Sequence, residues 1–215
     1  MILVSGTGTG VGKTHLACAL TVASSRRRPT AAYKPVETGV PRGQVGEDSA
    51  RLDASATFHV KHLPRWTFVQ PLTPARAARL EGVELPLQRI VEAVRVAAQD
   101  TPGLVVELPG GLFSPLTDRE TAADLLAALR PRWVLVAHNR LGALHDVLAC
   151  VHDRPATPAP AAILLVRGVD GAAGSNAEEL RRWTSVPVHE VPEGSVGVLA
   201  DVEALRELAE LAVNP

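Results

Sequence analysis

The chain has 215 residues, of which 46% are hydrophobic, 21% charged and only 3% aromatic, and its formal net charge is −1. That length suits one domain, 1–215, and so few rings mean a core built mainly from Ala, Val and Leu. The near-neutral balance gives no bulk attraction to nucleic acid or anionic membrane, and no apolar run is long enough to span a bilayer.

The first strand is expected at 2–4, directly after Met1, which leaves no room for the charged and apolar regions of a signal peptide; the expected location is the cytoplasm. Next comes Gly6-Thr7-Gly8-Thr9-Gly10-Val11-Gly12-Lys13-Thr14, opening an Ala/Leu-rich helix. A glycine-rich turn between a strand and a helix, ending in Gly-Lys-Thr, is the setting of a Walker A loop. Its glycines let successive amides face phosphates, and the helix N-terminus adds partial positive charge. Lys13 reaches the outer phosphates and Thr14 offers a hydroxyl to Mg2+. Thr9, Gly10, Val11, Gly12, Lys13, Thr14 and His15 are therefore the expected nucleotide site. The usual spacing would put a glycine at position 7, where this chain has Thr7; its first glycine is Gly6. The basic run Arg26-Arg27-Arg28 reads as a solvated cap at the helix C-terminus.

A second strand, 31–33, leads into Lys34-Pro35-Val36-Glu37-Thr38-Gly39. Proline fixes an extended backbone beside Lys34, which favours a placed lysine. A second ammonium near the γ-phosphate would stabilise charge on the transferring group, so Lys13 and Lys34 are the catalytic candidates, both expected on exposed loops. Asp48 sits at an expected helix start and is either a metal ligand or a cap. His59 and His62 read as surface residues.

The third run, 104–106, ends on Glu107, so a buried strand delivers one carboxylate to the active edge, as in a Walker B element. Thr14, Asp48 and Glu107 would supply hard oxygen ligands to Mg2+ from three loops. Paired glycines, Gly110 and Gly111, either let backbone amides approach an anion or make a structural turn. Further apolar runs lie at 133–137, 161–166 and 186–191, with a Pro/Ala-rich loop at 154–160. Residues 201–213 space Val202, Leu205, Leu208 and Leu211 on one helical face, with an acidic polar face that suits a docked helix. Cys18 and Cys150 lie in apolar helical stretches and read as buried free thiols. Six near-continuous apolar strands separated by helical spacers predict an α/β fold: a doubly wound, mainly parallel sheet flanked by helices, P-loop NTPase-like. Chemistry should then sit beyond the carboxyl ends of the strands.

Together these segments resemble the dethiobiotin synthetases. The order is the same: the loop at Gly6 to Thr14, Tyr33-Lys34-Pro35-Val36 with Thr38-Gly39, Asp48, Trp66-Thr67-Phe68 leading to Pro71-Leu72-Thr73-Pro74, Glu107 with Gly110-Gly111, Phe113-Ser114-Pro115-Leu116-Thr117-Asp118, and Glu190-Val191-Pro192. The resemblance implies that 7,8-diaminononanoate and CO2 form a carbamate, that the carbamate attacks the γ-phosphate of ATP, and that the neighbouring amine closes the ureido ring of dethiobiotin. It implies substrate contacts from Thr38, Leu108, Pro109, Gly110 and Gly111, and a homodimer in which the segment around Gly142 to His145 serves the partner subunit. The chain departs from the family pattern at Ala75, where histidine is familiar, at Leu108-Pro109, where two small residues are, and at Leu144, where asparagine is. The Asn-Asp pair that reads adenine in the family is replaced here by Arg167-Gly168 or nearby residues. Two other readings share the Walker loop: a partner-binding switch ATPase like MinD and ParA, and an ATP-dependent ligase with a different small substrate. Against the switch stand Thr7, where an additional lysine is usual, and the absence of a basic terminal helix.

Overall fold

The computed structural model describes residues 1–152, 156–166, 168 and 171–212. Residues 154 and 155 of the proline-rich loop, Arg167 and Val213 lie outside that set. Six strands form one parallel sheet: β1 (Ile2–Gly6), β2 (Thr30–Tyr33), β5 (Gly103–Glu107), β6 (Arg132–His138), β7 (Ala162–Val166) and β8 (Val188–Val191), in the order β2-β5-β1-β6-β7-β8. All five pairings are parallel, with Leu3 opposite both Val106 and Trp133. Each of the six apolar runs expected from the sequence becomes one of these strands. The physical reason is that a strand covered on both faces has no polar side to show.

Alternate residues of each strand feed two cores. Leu3, Leu104, Val106, Leu135 and Ile163 face one layer, built by α3 (Pro74–Glu81), α4 (Leu87–Gln99), α5 (Ala122–Leu129), α6 (Ala143–Val151) and α7 (Ala173–Trp183). Ile2, Val4, Val105, Val134 and Leu164 face the other, where α1 (Lys13–Ser25) packs with α2 (Glu47–Ser55), α8 (Val196–Leu199) and α9 (Glu203–Glu210). Period-two alternation thus buries both faces with aliphatic side chains. Cys18 and Cys150 are buried on α1 and α6 and form no disulfide, as expected.

The terminal helix docks through Leu205 and Leu208, both buried, and its acidic side faces out. The three arginines after α1 are not simply a solvated cap. Arg26 pairs with Asp201 at 2.5 Å and also donates to Ala200 O, and Arg27 pairs with Glu210, so two of them fasten the terminal helices to α1. The sequence also hides a small two-stranded parallel sheet, β3 (Val36–Thr38) with β4 (Trp66–Phe68). Three-residue strands of mixed polarity carry no periodic signal.

Candidate active site

The turn from β1 to α1 wraps the helix N-terminus. Gly10 (φ 77°) and Gly12 (φ 95°) adopt left-handed backbone, which side-chain-bearing residues rarely tolerate, and Gly12 is the N-cap of α1. The loop is tied to its neighbours through main chain: Thr7 N donates to Val136 O at 2.9 Å and Leu112 N to Gly6 O at 2.8 Å. Lys13 folds back over this loop, its Nζ 2.7 Å from Gly8 O.

Beside the loop, three strand ends converge. Lys34, just after β2, places Nζ 2.5 Å from Asp48 Oδ2 and 2.8 Å from Glu107 Oε1. Thr14 Oγ1 donates to the same Glu107 oxygen at 3.0 Å. Both lysines are 6% exposed, and Glu107 is 1% exposed. The expectation of lysines on exposed loops is therefore corrected: Lys13 opens α1 beneath the loop, and Lys34 is drawn inward by two carboxylates. Burial pushes the Lys13 ammonium down to about 8, with Lys34 adding to the effect and Glu107 opposing it. For Lys34, burial acts downward but Glu107 and Asp48 outweigh it, holding the ammonium above the usual lysine range. Asp48 is also penalised by burial, yet Lys34 draws it below the usual carboxylate range. Glu107 goes up, because burial exceeds what Lys34 returns.

A divalent cation fits this cluster. Glu107 Oε2 is buried with no hydrogen-bond partner, a costly state for a carboxylate oxygen unless a cation meets it. Asp48 and the Thr14 hydroxyl complete an oxygen donor set of the kind Mg2+ prefers.

These groups floor a cleft of about 980 Å3. Of the expected nucleotide residues, Thr9, Gly10, Gly12, Lys13, Thr14 and His15 line it, whereas Val11 turns into the core under α1. Of the expected substrate residues, Thr38, Pro109 and Gly110 line it. Leu108 does not: it is fully buried in the core, with its N–H on Val4 O. Gly111 lies behind, its N–H on Ser114 Oγ, packed so closely on the phosphate loop that a Cβ there would sit 2.9 Å from Thr7 O. Gly142 to His145 is the start of α6, away from the cleft, and Leu144 packs against the core. Ala75 is buried on α3.

The cleft also contains residues the sequence did not single out as site residues. Pro71 to Pro74 and Ser114 form a wall near Thr38, and Glu37 and Arg51 stand near Asp48. At the opposite end Val166, Val191, Leu199 and the turn Pro192-Glu193-Gly194 form a mostly apolar slot, braced by His15 Nε2 against Gly194 O at 2.8 Å. The repeated prolines of 71–74 and the break after Val191 were readable as loops at strand ends. That they meet in one cleft was not.

Known proteins resemble this chain in sequence and in fold. The AAA domain family matches residues 1–209. The chain is 38% identical over 189 residues to the ATP-dependent dethiobiotin synthetase BioD of Anaeromyxobacter dehalogenans (strain 2CP-C), covering 85% of each chain. With the protein of the same name from Caulobacter sp. (strain K31) the identity is 39% over 215 residues, covering 93% of this chain and 92% of the other. Among solved structures, a ParA family ATPase from Chlorobium tepidum TLS superposes with TM-score 0.55 at 14% identity over 97% of both chains. MinD from the Aquifex aeolicus MinC:MinD cell division complex superposes with TM-score 0.54 at 11% identity, over 97% of this chain and 93% of that one. At such identities the two structures share the fold alone.

Proposed function

The chain belongs to the ATP-dependent dethiobiotin synthetases, and from that premise we propose that its cleft closes the ureido ring of dethiobiotin from 7,8-diaminononanoate, CO2 and ATP. The observation that carries this reading is the convergence of Lys13, Thr14, Lys34, Asp48 and Glu107 on one cleft at the carboxyl ends of β1, β2 and β5.

In this reading the phosphates of ATP lie along the α1 N-terminus, where the amides of residues 9–15 and the Lys13 ammonium receive them. The nucleobase takes the slot between Val166, Val191, Leu199 and the 192–194 turn. Thr14, Asp48 and Glu107 hold Mg2+, which when bound neutralises phosphate charge. The diamine occupies the end lined by Thr38, Pro71 to Pro74, Pro109 and Gly110. One of its amines takes up CO2 as a carbamate, and a carbamate oxygen attacks the γ-phosphorus as ADP leaves. The second amine then attacks the carbonyl carbon of the mixed carbamic-phosphoric anhydride, expelling inorganic phosphate and closing the ring. Lys34 stands where an ammonium can contact both γ-phosphate and carbamate, lowering the repulsion between two anions. The enzyme is proposed to work in the cytoplasm as a homodimer. Among the described residues, no helix is long and apolar enough to cross a membrane.

The test is phosphate release from Mg-ATP and bicarbonate with and without 7,8-diaminononanoate, with mass spectrometry for dethiobiotin. Diamine-dependent release with product is the expected result. Release that ignores the diamine points to a switch-like ATPase, and release dependent on another diamine or acid points to a different ligase substrate; either overturns the reading.

A further inference from the structure

Helix α2 begins without a cap of its own. Its N-cap is Gly46, with extended backbone (φ −63°, ψ 149°) and no side chain to accept from the first-turn amides, where Ser, Thr, Asp or Asn is usual. The missing acceptor comes from β3. Glu37 Oε1 accepts from Asp48 N at 2.9 Å, and Oε2 accepts from Ser49 N at 3.1 Å and Ser49 Oγ at 2.5 Å. The Asp48 and Ser49 amides are the second and third of the helix, the pair that a cap residue normally satisfies. Gly46 is glycine for the same reason: a Cβ there would lie 2.1 Å from the Glu37 carboxyl carbon. Glu37 itself is 6% exposed, so these are charge-assisted bonds in a largely water-free place, aimed along a helix dipole that favours an anion.

The arrangement grips Asp48 at both ends. Lys34 holds its carboxylate and Glu37 holds its backbone amide, and the two come from one five-residue segment, 34–38, that also carries Thr38 into the cleft. We infer that Glu37 is a positioning residue for the metal site: it fixes the α2 N-terminus so that the Asp48 carboxylate faces Thr14 and Glu107. The inference rests on the reading of Asp48 as a ligand. A side-chain cap could have been supplied locally, by Asp or Asn at position 46. Taking it from β3 instead makes the metal ligand's position depend on the strand that contacts the substrate.

The test uses the full chain with ADP, following Mn2+ binding by electron paramagnetic resonance alongside thermal melting. Glu37→Ala is expected to weaken Mn2+ binding by about tenfold to a hundredfold, the range typical when a group that orients a metal ligand is lost. Glu37→Gln, which keeps one acceptor oxygen, is expected to lose less. Gly46→Ala leaves Glu37 in place but displaces its carboxylate, and should reproduce the Glu37→Ala loss; these two variants carry the test if Glu37→Ala does not fold. A lowered melting temperature with unchanged Mn2+ affinity in all foldable variants overturns the inference and leaves Glu37 a purely structural cap. Asp48→Asn serves as the control. Native Mn2+ affinity in that variant overturns the metal-site reading itself, while its loss beside unaffected Glu37 and Gly46 variants overturns only the role of Glu37.

Discussion

Thr14 Oγ1 lies 3.0 Å from Glu107 Oε1 and donates to it, joining the phosphate loop to the end of β5 across 93 residues of sequence. Lys34 uses the same oxygen, so Oε2 is left buried and unpartnered. Glu107→Gln replaces one carboxylate oxygen by an amide nitrogen that cannot ligate a cation. It is expected to raise the Mg2+ concentration for half-maximal turnover by at least about tenfold. A magnesium titration of initial rate checks this, and an unchanged half-maximal concentration removes Glu107 from the metal site.

Lys34→Ala is expected to abolish turnover and also to cost stability. It would leave Glu107 uncompensated in the interior and Asp48 without its partner, a loss of about 3 kcal/mol for a buried pair broken on one side. Chemical denaturation of the magnesium-free protein measures it. Lys34→Ala with native stability would mean that the two carboxylates take up protons at no cost, contrary to the geometry.

Lys13 carries a pH signature. Its folded value of about 8 lies below the roughly 10.4 of an unfolded lysine, so between those limits the unfolded chain binds more protons and stability from this group rises with pH. Below pH 8 the cost of the buried charge is present in full. The stability of Lys13→Met relative to the native protein should therefore fall as pH rises from 7 to 9.5, by about 2 kcal/mol. Urea midpoints of nucleotide-free protein at the two pH values decide it; a constant difference contradicts the depressed value.

Gly111→Ala places a Cβ against the main chain of the phosphate loop, 2.9 Å from Thr7 O and 3.1 Å from Gly8 Cα. Backbone must shift, so ADP binding should weaken by about tenfold, within the cost of overpacking a tight contact. Gly197→Ala, which meets nothing within 4 Å, is the control and should bind ADP normally. Equal affinity in both variants would show that the loop tolerates displacement.

Much of this was legible because burial leaves a mark on sequence. The run at 104–106 is apolar since β5 is covered on both faces, and Glu107 stood out as the polar residue closing it. The loop at Gly6 to Thr14 was readable because phosphate binding needs glycines before a helix. Glu37 was not readable. It caps a helix that begins ten positions further on, and nothing local distinguishes a buried carboxylate in a three-residue strand from a solvated one. Gly46 directly before Glu47-Asp48 was the available hint, a helix start with no capping side chain. Burial of Lys13 and Lys34 escaped for a related reason: a lysine reads as exposed until the fold brings its partners beside it, the Gly8 carbonyl for Lys13 and two carboxylates for Lys34.

The position of β1 has a consequence for synthesis of the chain. It precedes both of its sheet neighbours in sequence, lying between β5 and β6, and its phosphate loop hangs on Val136 O and on Leu112. The other side of α1 waits longer still, for α8 and α9 to cover it. In a nascent chain the glycine-rich loop therefore lacks these two anchors until β6 has been made. The face of α1 that α8 and α9 cover stays open over the same interval, so apolar side chains of this helix remain exposed while the chain grows.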